Sequence, residues 1–261
     1  MGSLAGPRAL CHDSRFALRM IYIDAREGLS GDMLLAALLG LLGDGEREKI
    51  VARLQRTSSE IRIEMRVARL EDSGDTGLGI SYLEKEAGKT SVSYQEAHER
   101  LRTIETTLKS ESSVGMQILE QIFKAEASAH GVAKERVHLH EIGRPEALVN
   151  MAGIGLVSSI LQGSDREGFA CTTITTGHGM VVVSHGAVRI PSPASEFLLK
   201  GMKYQPGDSP GERATPTGIA TIRVLAKLQS DQLPSVCSRT SVGFGTRRFG
   251  GRLGRVAMLW P

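Results

Sequence analysis

The sequence has few of the residues that cross-link small secreted domains, span membranes or stack on nucleic-acid bases. Its three cysteines are far apart and odd in number, which excludes a disulfide framework and favours a reducing cytoplasm. Aromatic residues make up only 4% of the chain, so we expect no nucleic-acid partner. The longest apolar run, Leu34–Leu42, is too short to span a bilayer, so no membrane partner is expected.

Signals for export and for standard nucleotide binding are also missing. The first twenty residues contain arginines and an aspartate but no long apolar core, so no signal peptide is evident. No Walker A sequence occurs, and no Gly-x-Gly-x-x-Gly follows a predicted strand, which argues against the standard nucleotide-binding folds. We expect residues 1–19 to form a loose extension and the folded region to begin at Met20.

Positive charge is concentrated at the end of the chain. The formal net charge is +3, and residues 239–261, here called the basic tail, contain five arginines and no acid. Such a tail suits contact with an anion, a nucleotide phosphate or a partner chain. A solvated terminal strand explains the same composition equally well.

Short β-type runs are interspersed with helical segments, which predicts a mixed α/β fold built of layers. The predicted helices cover residues 33–42, 46–57, 94–108, 114–130, 145–161, 193–200 and 215–228. The predicted strands cover residues 21–23, 61–67, 78–84, 172–176, 181–183, 240–246 and 255–260. Residues 71–79 are predicted to be a loop. The folded region forms either one unit or two subdomains, 20–135 and 136–261.

The segment His138-Leu139-His140-Glu141 has the spacing of a metal site. In a strand, both histidines lie on one face, with their Cα atoms roughly 6–7 Å apart from a rise of about 3.3 Å per residue. Imidazole binds zinc, nickel, copper and iron, and Glu141 adds a carboxylate if the strand ends there. The alternative is a pair of half-buried histidines bonded to backbone carbonyls.

Two further histidines and two aspartates are candidates for ion binding. His178 and His185 are predicted to lie in glycine-flanked turns, where they can join His138 and His140 in an open metal site or simply be exposed. Asp24 follows the first strand and Asp32 begins the first helix, so the two carboxylates together suit a magnesium-like cation.

Two predicted helix starts offer both a capping and a binding interpretation. Ser30, Gly31 and Asp32 precede the first helix, where Ser30 or Asp32 is a suitable cap. Thr215, Thr217 and Gly218 open a later helix, whose free N–H groups and two hydroxyls suit a phosphate or a carboxylate. Capping alone explains both segments without a ligand.

Several motifs, taken together and in order, resemble those of the nickel insertion protein family of lactate racemase maturation. They are Ser-Gly-Asp-Met at 30–33, His-Leu-His-Glu-Ile-Gly at 138–143, Ser-His-Gly-Ala-Val at 184–188, Pro-Ser-Pro-Ala at 191–194, Glu-Arg-Ala-Thr-Pro-Thr-Gly at 212–218 and Gly-Phe-Gly-Thr-Arg at 243–247. The resemblance extends from about Met20 to Trp260, and ordered motifs are far more specific than any single one.

The resemblance implies a lyase-class nickel chelatase, or cyclometallase, that acts in cofactor biosynthesis. Members insert Ni²⁺ into pyridinium-3,5-bisthiocarboxylic acid mononucleotide in a CTP-dependent reaction, with Mg²⁺ or Mn²⁺ as the expected companion of CTP. The product, the nickel-pincer nucleotide, contains nickel–carbon and nickel–sulfur bonds. Histidines can deliver nickel to softer thiocarboxylates, and a base must remove the ring proton. Glu141 or a histidine is the candidate base, and Asp32 is a second candidate catalytic residue.

The sequence differs from the family pattern at two places. Ala25 and Glu27 replace a cysteine and a serine before the first motif, and Glu146 and Asn150 stand where two aspartates are usual. Longer members continue into a further C-terminal domain, which we expect to be absent here and to be supplied by a separate chain or a homo-oligomer. The alternatives to nickel insertion are a non-catalytic nickel metallochaperone or partner subunit, and a zinc-dependent hydrolase.

Overall fold

A computed structural model of the chain describes residues 20–84, 91–139, 143–163, 168–183 and 186–261. Helices and strands alternate through these ranges, which confirms the predicted mixed α/β class. The helices are α1 (Gly31–Leu41), α2 (Asp44–Glu60), α3 (Tyr94–Thr107), α4 (Val114–His130), α5 (Pro145–Gln162), α6 (Pro193–Leu199) and α7 (Pro216–Leu225). A helix long and apolar enough to cross a membrane does not occur within the described ranges.

The main sheet has seven strands drawn from widely separated parts of the described sequence. Its order is β12 (Ala226–Gln229), β6 (Gly168–Cys171), β1 (Met20–Asp24), β14 (Arg252–Trp260), β13 (Arg239–Phe249), β3 (Asp75–Glu84) and β2 (Ile63–Asp72). Pairing is parallel between β1 and β6 and antiparallel between β1 and β14, so the sheet is mixed. The first strand therefore lies inside the sheet, next to the last one.

Short strands form three smaller sheets beside the main one. The first contains β11 (Gly211–Glu212), β8 (Gly177–Val183) and β9 (Gly186–Ile190) in that order, and the second pairs β10 (Tyr204–Gln205) with β7 (Ile174–Thr175). The third pairs β4 (Val92–Ser93) with β5 (His138–Leu139) and therefore carries the first predicted metal ligand.

Helix α1 packs directly on the sheet and is apolar on nearly every side, as its sequence predicted. It contacts β13, β3 and β14 below and α5 above. A methyl group added at Gly243 of β13 would lie 1.9 Å from the carbonyl oxygen of Met33, so the close approach requires glycine. Helix α4 packs against α5, α6 and α7, which adds a second helical layer.

Most predicted helix boundaries are confirmed, because local capping determines them. Ser93 accepts a hydrogen bond from the backbone N–H of Glu96 at 3.2 Å, and Gly131 ends α4 with a φ of 64°. Pro145 is the first residue of α5, where its missing N–H needs no partner.

Three predictions about local structure were wrong. Residues 71–79 belong mainly to strands, because β2 and β3 continue to a tight turn at Ser73 and Gly74, whose φ values are both positive. Helix α7 ends at Leu225, and the chain continues as an edge strand of the main sheet. His178 lies within β8 rather than in a turn.

Candidate functional site

The starts of three helices meet at one place, here called the junction. The N–H of Leu29, just before α1, donates to the carbonyl of Arg213 at 2.8 Å, and the N–H of Thr215, just before α7, donates back to Leu29 at 3.0 Å. A methyl group added at Gly31 would lie 3.0 Å from Thr217 and 3.5 Å from Asn150 of α5. The two predicted cap segments therefore contact each other and the first turns of α5.

Buried acids and their polar neighbours surround the junction. The Tyr82 hydroxyl donates to Asn150 Oδ1 at 2.7 Å, which ties β3 to α5. Burial raises the pKa of Asp32, although a hydrogen bond from Ser30 and the charge of Arg247 act in the opposite direction. Burial also raises the pKa of Tyr82 well above its ordinary value, and the negative charges of Asp32 and Glu146 raise it further. These residues form the acid cluster: Asp32, Tyr82, Glu146 and Asn150.

Glu146 has the least satisfied carboxylate of the acid cluster. Its Oε2 atom is buried and has no hydrogen-bond partner among the described residues, and Arg144 is 3.8 Å from the other oxygen. Burial raises the pKa of Glu146, and the charge of Glu84 raises it further while Arg144 lowers it. A carboxylate with a raised pKa and a free oxygen is suited to accept a proton.

Sequence reasoning missed most of the acid cluster. Nothing in the sequence singled out Tyr82, and Glu146 and Asn150 stood out only as departures from a family pattern. One signal was present, because Asn150 is the single polar side chain in the apolar run 147–157 of a helix that is buried on all sides. A buried amide requires a partner, and here the partner is Tyr82.

The predicted alternation around His138 is confirmed. Val137 and Leu139 are buried, whereas His138 is exposed. Strand β5 pairs with β4, with His138 opposite Ser93 and Leu139 opposite Val92. His140 and Glu141 lie outside the described residues, so their metal and base roles stay predictions. The chain is described again at Gly143, which lies against Leu139 and Val92 just before α5 and Glu146.

A second polar cluster joins helix α4 to residues next to the histidine strand. It is here called the Glu120 cluster and consists of Tyr94, His98, Glu120 and Lys134. Glu120 of α4 accepts hydrogen bonds from Tyr94 at 2.5 Å and Lys134 at 2.9 Å, and its Oε1 lies 2.7 Å from His98 Nε2. Tyr94 follows Ser93 of β4, and Lys134 begins the short 3₁₀ turn Lys134–Arg136 that leads to β5. The Glu120 cluster therefore holds both strands of the sheet that carries His138.

The remaining candidate ligands are dispersed. His178 is exposed in β8, opposite Gly211 of β11, and the strand continues through the positive φ values of Gly177 and Gly179. His185 lies outside the described residues. Both carboxylate oxygens of Asp24 bond Arg26, at 2.8 and 2.6 Å, and the proposed cation site of Asp24 and Asp32 stays a prediction.

The capping interpretation is confirmed for Thr215 and is wrong for Ser30. Thr215 Oγ1 accepts the N–H of Gly218 at 3.3 Å, whereas Ser30 directs its hydroxyl to Asp32 and makes no capping hydrogen bond. A methyl group added at Gly218 would lie 2.7 Å from the carbonyl oxygen of Leu29. The ligand-binding roles of Ser30, Gly31, Thr215, Thr217 and Gly218 stay predictions.

Within the described ranges, three or more His, Cys, Asp or Glu side chains do not come together in an arrangement that could hold a metal ion. Three of the candidate ligands, His140, Glu141 and His185, lie outside those ranges. The predicted metal site therefore depends on residues that the structure does not describe.

Comparison with known proteins gives a consistent result. Three similar proteins are each named pyridinium-3,5-bisthiocarboxylic acid mononucleotide nickel insertion protein. The one from Akkermansia muciniphila is 30% identical over 88% of this chain and 57% of its own length, and the one from a Thermotoga species is 30% identical over 80% of this chain and 53% of its own length. The one from Staphylococcus epidermidis is 28% identical over 88% of this chain and 56% of its own length. The chain thus spans about half the length of the curated relatives it matches. No solved structure matches it.

A sequence model of a protein family matches most of the chain rather than isolated motifs. The sequence model described as "Nickel insertion protein" matches residues 21–258, which include the junction, the histidine strand and the five arginines of the basic tail. The motifs at 30–33, 138–143 and 212–218 therefore all lie inside the matched region. This chain belongs to the nickel insertion protein family.

Proposed function

We propose that this chain inserts nickel into pyridinium-3,5-bisthiocarboxylic acid mononucleotide. The names of its relatives support the substrate. The chemistry is supported by the buried Oε2 atom of Glu146, which has no hydrogen-bond partner among the described residues. Forming a nickel–carbon bond requires loss of a ring proton, and this carboxylate is available to take it. The proposal includes dependence on CTP with Mg²⁺ or Mn²⁺, for which we assign no residues.

In this proposal nickel is cargo that moves from nitrogen to sulfur ligands. His138 and His140 bind Ni²⁺ first, and the thiocarboxylates of the precursor then take it over because they are softer ligands. Glu141 or Glu146 accepts the ring proton as the nickel–carbon bond forms. The buried, partly apolar surroundings of Glu146 favour its neutral form, which stabilises the state after proton transfer.

Nickel binding is the first test of the proposal. Isothermal titration with Ni²⁺ should show binding to the wild type and a loss of about tenfold or more in affinity for the double variant His138→Ala/His140→Ala, since two imidazole ligands are removed. Equal affinities in the two proteins would contradict the proposal. Metal analysis of the isolated protein separates it from a zinc-dependent hydrolase, for which zinc would be stoichiometric and nickel would not compete.

Proton transfer is tested with Glu146→Gln, which keeps the shape of the side chain. Nickel affinity should stay within about twofold, while product formation from precursor, Ni²⁺ and CTP should fall by about a hundredfold or more. Glu84→Gln is the matched control, because it removes a neighbouring charge and leaves the proposed acceptor in place. Comparable losses in both variants would indicate a general electrostatic effect and would count against Glu146 as the base.

The same assay separates insertion from transport of nickel. A wild-type protein that binds Ni²⁺ tightly but forms no product from precursor, Ni²⁺ and CTP would behave as a metallochaperone or partner subunit. Product formation by the wild type would exclude that alternative. Mass spectrometry distinguishes the product from a loose nickel complex, because the cyclometallated product lacks one ring hydrogen.

A further inference from the structure

An open pocket of about 760 Å³ lies beside the junction, on the side of the basic tail. Its wall includes Arg26 after β1, Arg213 before α7, and Phe249 and Arg252 from the hairpin of β13 and β14. Here it is called the arginine pocket. Three arginines in one cavity suggest an anionic ligand, provided that their charges are not all used within the protein.

Arg213 is the buried arginine of this pocket. Only 9% of its side chain is exposed, and its guanidinium stacks on Phe249, 4.6 Å from the ring centroid. It donates to Asp208 and, at 2.6 Å, to Ser209, but its Nε atom is buried without a hydrogen-bond partner among the described residues. Buried polar atoms are rarely left unpaired, so this atom is an independent sign of a missing ligand.

The other charges of the pocket wall leave a positive surplus. Asp208 pairs with Arg213, Glu27 pairs with Arg255 at 2.9 Å, and Arg26 is held by Asp24. Arg252 makes no ion pair with any described residue. Its charge nevertheless contributes to lowering the pKa of Asp208, after the hydrogen bond from Ser209 and the charge of Arg213.

The rest of the basic tail shows that Arg252 is exceptional. Arg247 lies 3.7 Å from Glu212, Arg248 lies 2.9 Å from Asp72, and Arg239 donates to the carbonyl of Leu41 at 2.9 Å. Together with Arg255, these arginines have partners that hold the tail against the rest of the fold. Arg252 lines the arginine pocket and makes no such ion pair with the described residues.

We propose that the arginine pocket binds the phosphate of the mononucleotide substrate. Guanidinium groups bind phosphate through paired hydrogen bonds, and a cavity of this volume is typical of small-molecule sites. Naming the ligand as a pyridinium mononucleotide rests on the proposed function, whereas the phosphate specificity rests on the pocket itself. Arg252 and Arg213 are the phosphate-binding residues.

The position of the pocket fits the rest of the site. Arg213 and Thr217 are four residues apart, so their Cα atoms are separated by at most roughly 14 Å even in a fully extended chain. Thr217 lies against Gly31 at the junction. The arginine pocket therefore lies close to the junction, towards which the rest of a phosphate-bound ligand can extend.

The test compares a ligand with and without its phosphate. By isothermal titration, nicotinic acid mononucleotide, a commercially accessible pyridinium mononucleotide, should bind the wild type at least tenfold more tightly than nicotinic acid riboside. Arg252→Ala should weaken the mononucleotide about tenfold and leave the riboside unchanged, because one charged hydrogen-bond donor is lost. Arg248→Ala is the matched control on the same hairpin and should leave both affinities unchanged.

A second variant tests Arg213 with a conservative substitution that should not disturb folding. Arg213→Lys keeps the buried charge but loses the planar fork, so it should also weaken the mononucleotide selectively. Equal affinity of the two ligands for the wild type, or equal losses in Arg252→Ala and Arg248→Ala, would overturn the proposal. Tighter binding of cytidine monophosphate than of the pyridinium mononucleotide would also overturn it, because the pocket would then belong to the cytidine nucleotide.

The two proposals fail separately. If His138→Ala/His140→Ala binds nickel as the wild type does while phosphate discrimination persists, the proposed function is overturned and the phosphate site stands. If nickel binding follows the histidines but the wild type does not discriminate the phosphate, only the arginine pocket is overturned.

Discussion

At the scale of single residues, Glu120 shows how a charged side chain can be held inside the fold. Burial on its own would raise its pKa, but hydrogen bonds from Tyr94, Lys134 and His98 outweigh that effect and lower the pKa from the ordinary 4.5 to about 2. The folded state therefore favours the ionised form more strongly than the unfolded state does. The contribution of the ionised Glu120 carboxylate to the free energy of unfolding should be present above pH 4.5 and lost as the pH falls towards 2.

This linkage predicts a pH-dependent difference between the wild type and Glu120→Gln. At pH 7 the variant should have a free energy of unfolding about 1–3 kcal/mol lower, because charged hydrogen bonds in a partly buried cluster are lost. The difference should shrink as the pH falls from 4.5 towards about 2, where the wild-type carboxylate also becomes neutral.

Urea unfolding at a series of pH values measures this difference. Glu99→Gln is the matched control, because Glu99 is exposed on α3 and its carboxylate accepts a hydrogen bond only from Gln95 among the described residues, at 3.0 Å. A constant difference between wild type and Glu120→Gln from pH 7 to pH 3 would show that folding does not lower the pKa of Glu120.

At the scale of elements, the contact between α1 and β13 determines how closely a helix can lie on the sheet. The helix is apolar around its whole circumference, which predicted its burial but not the strand that covers it. Gly243 and Gly245 face Met33, and a methyl group at Gly245 would lie 2.9 Å from the sulfur of that residue. Small residues on the strand thus allow the backbone of α1 to approach it.

Gly243→Ala should destabilise the protein by about 1–3 kcal/mol or more, because the new methyl group would collide with the backbone of Met33 and Ala37 rather than with a flexible side chain. Gly45→Ala is the matched control, since it lies in α2 with open space around it. There, alanine should be neutral or slightly stabilising. Equal free energies of unfolding for the two variants would contradict the predicted contact.

Helix boundaries show which features could be predicted from neighbouring residues and which could not. The capping residues Ser93, Gly131 and Pro145 were predicted correctly because their effects are confined to one helical turn. The end of α7 was not, because Ala226–Gln229 pairs with β6, a strand more than fifty residues earlier in the sequence. An apolar run cannot indicate by itself which neighbour will pair with it.

At the scale of the whole molecule, the first and the last strand of the described residues pair in the main sheet. Strand β1 lies between β6 and β14, with Tyr22 opposite Leu259. This pairing positions Glu27 near Arg255, and the β13–β14 hairpin near the segment before α7. The arginine pocket exists only because of this arrangement, since Arg26, Arg213 and Arg252 belong to three distant parts of the sequence.

The sequence by itself determined the α/β class, most helix starts, the burial of α1, the alternation of His138 with its apolar neighbours and the family. These properties depend on local periodicity, on capping within one turn, or on ordered motifs. The tertiary structure decided the strand order, the meeting of three helix starts at Gly31, and the partners of Tyr82, Glu146 and Arg213. Those features depend on contacts between residues far apart in the chain, which side-chain packing selects and no local pattern encodes.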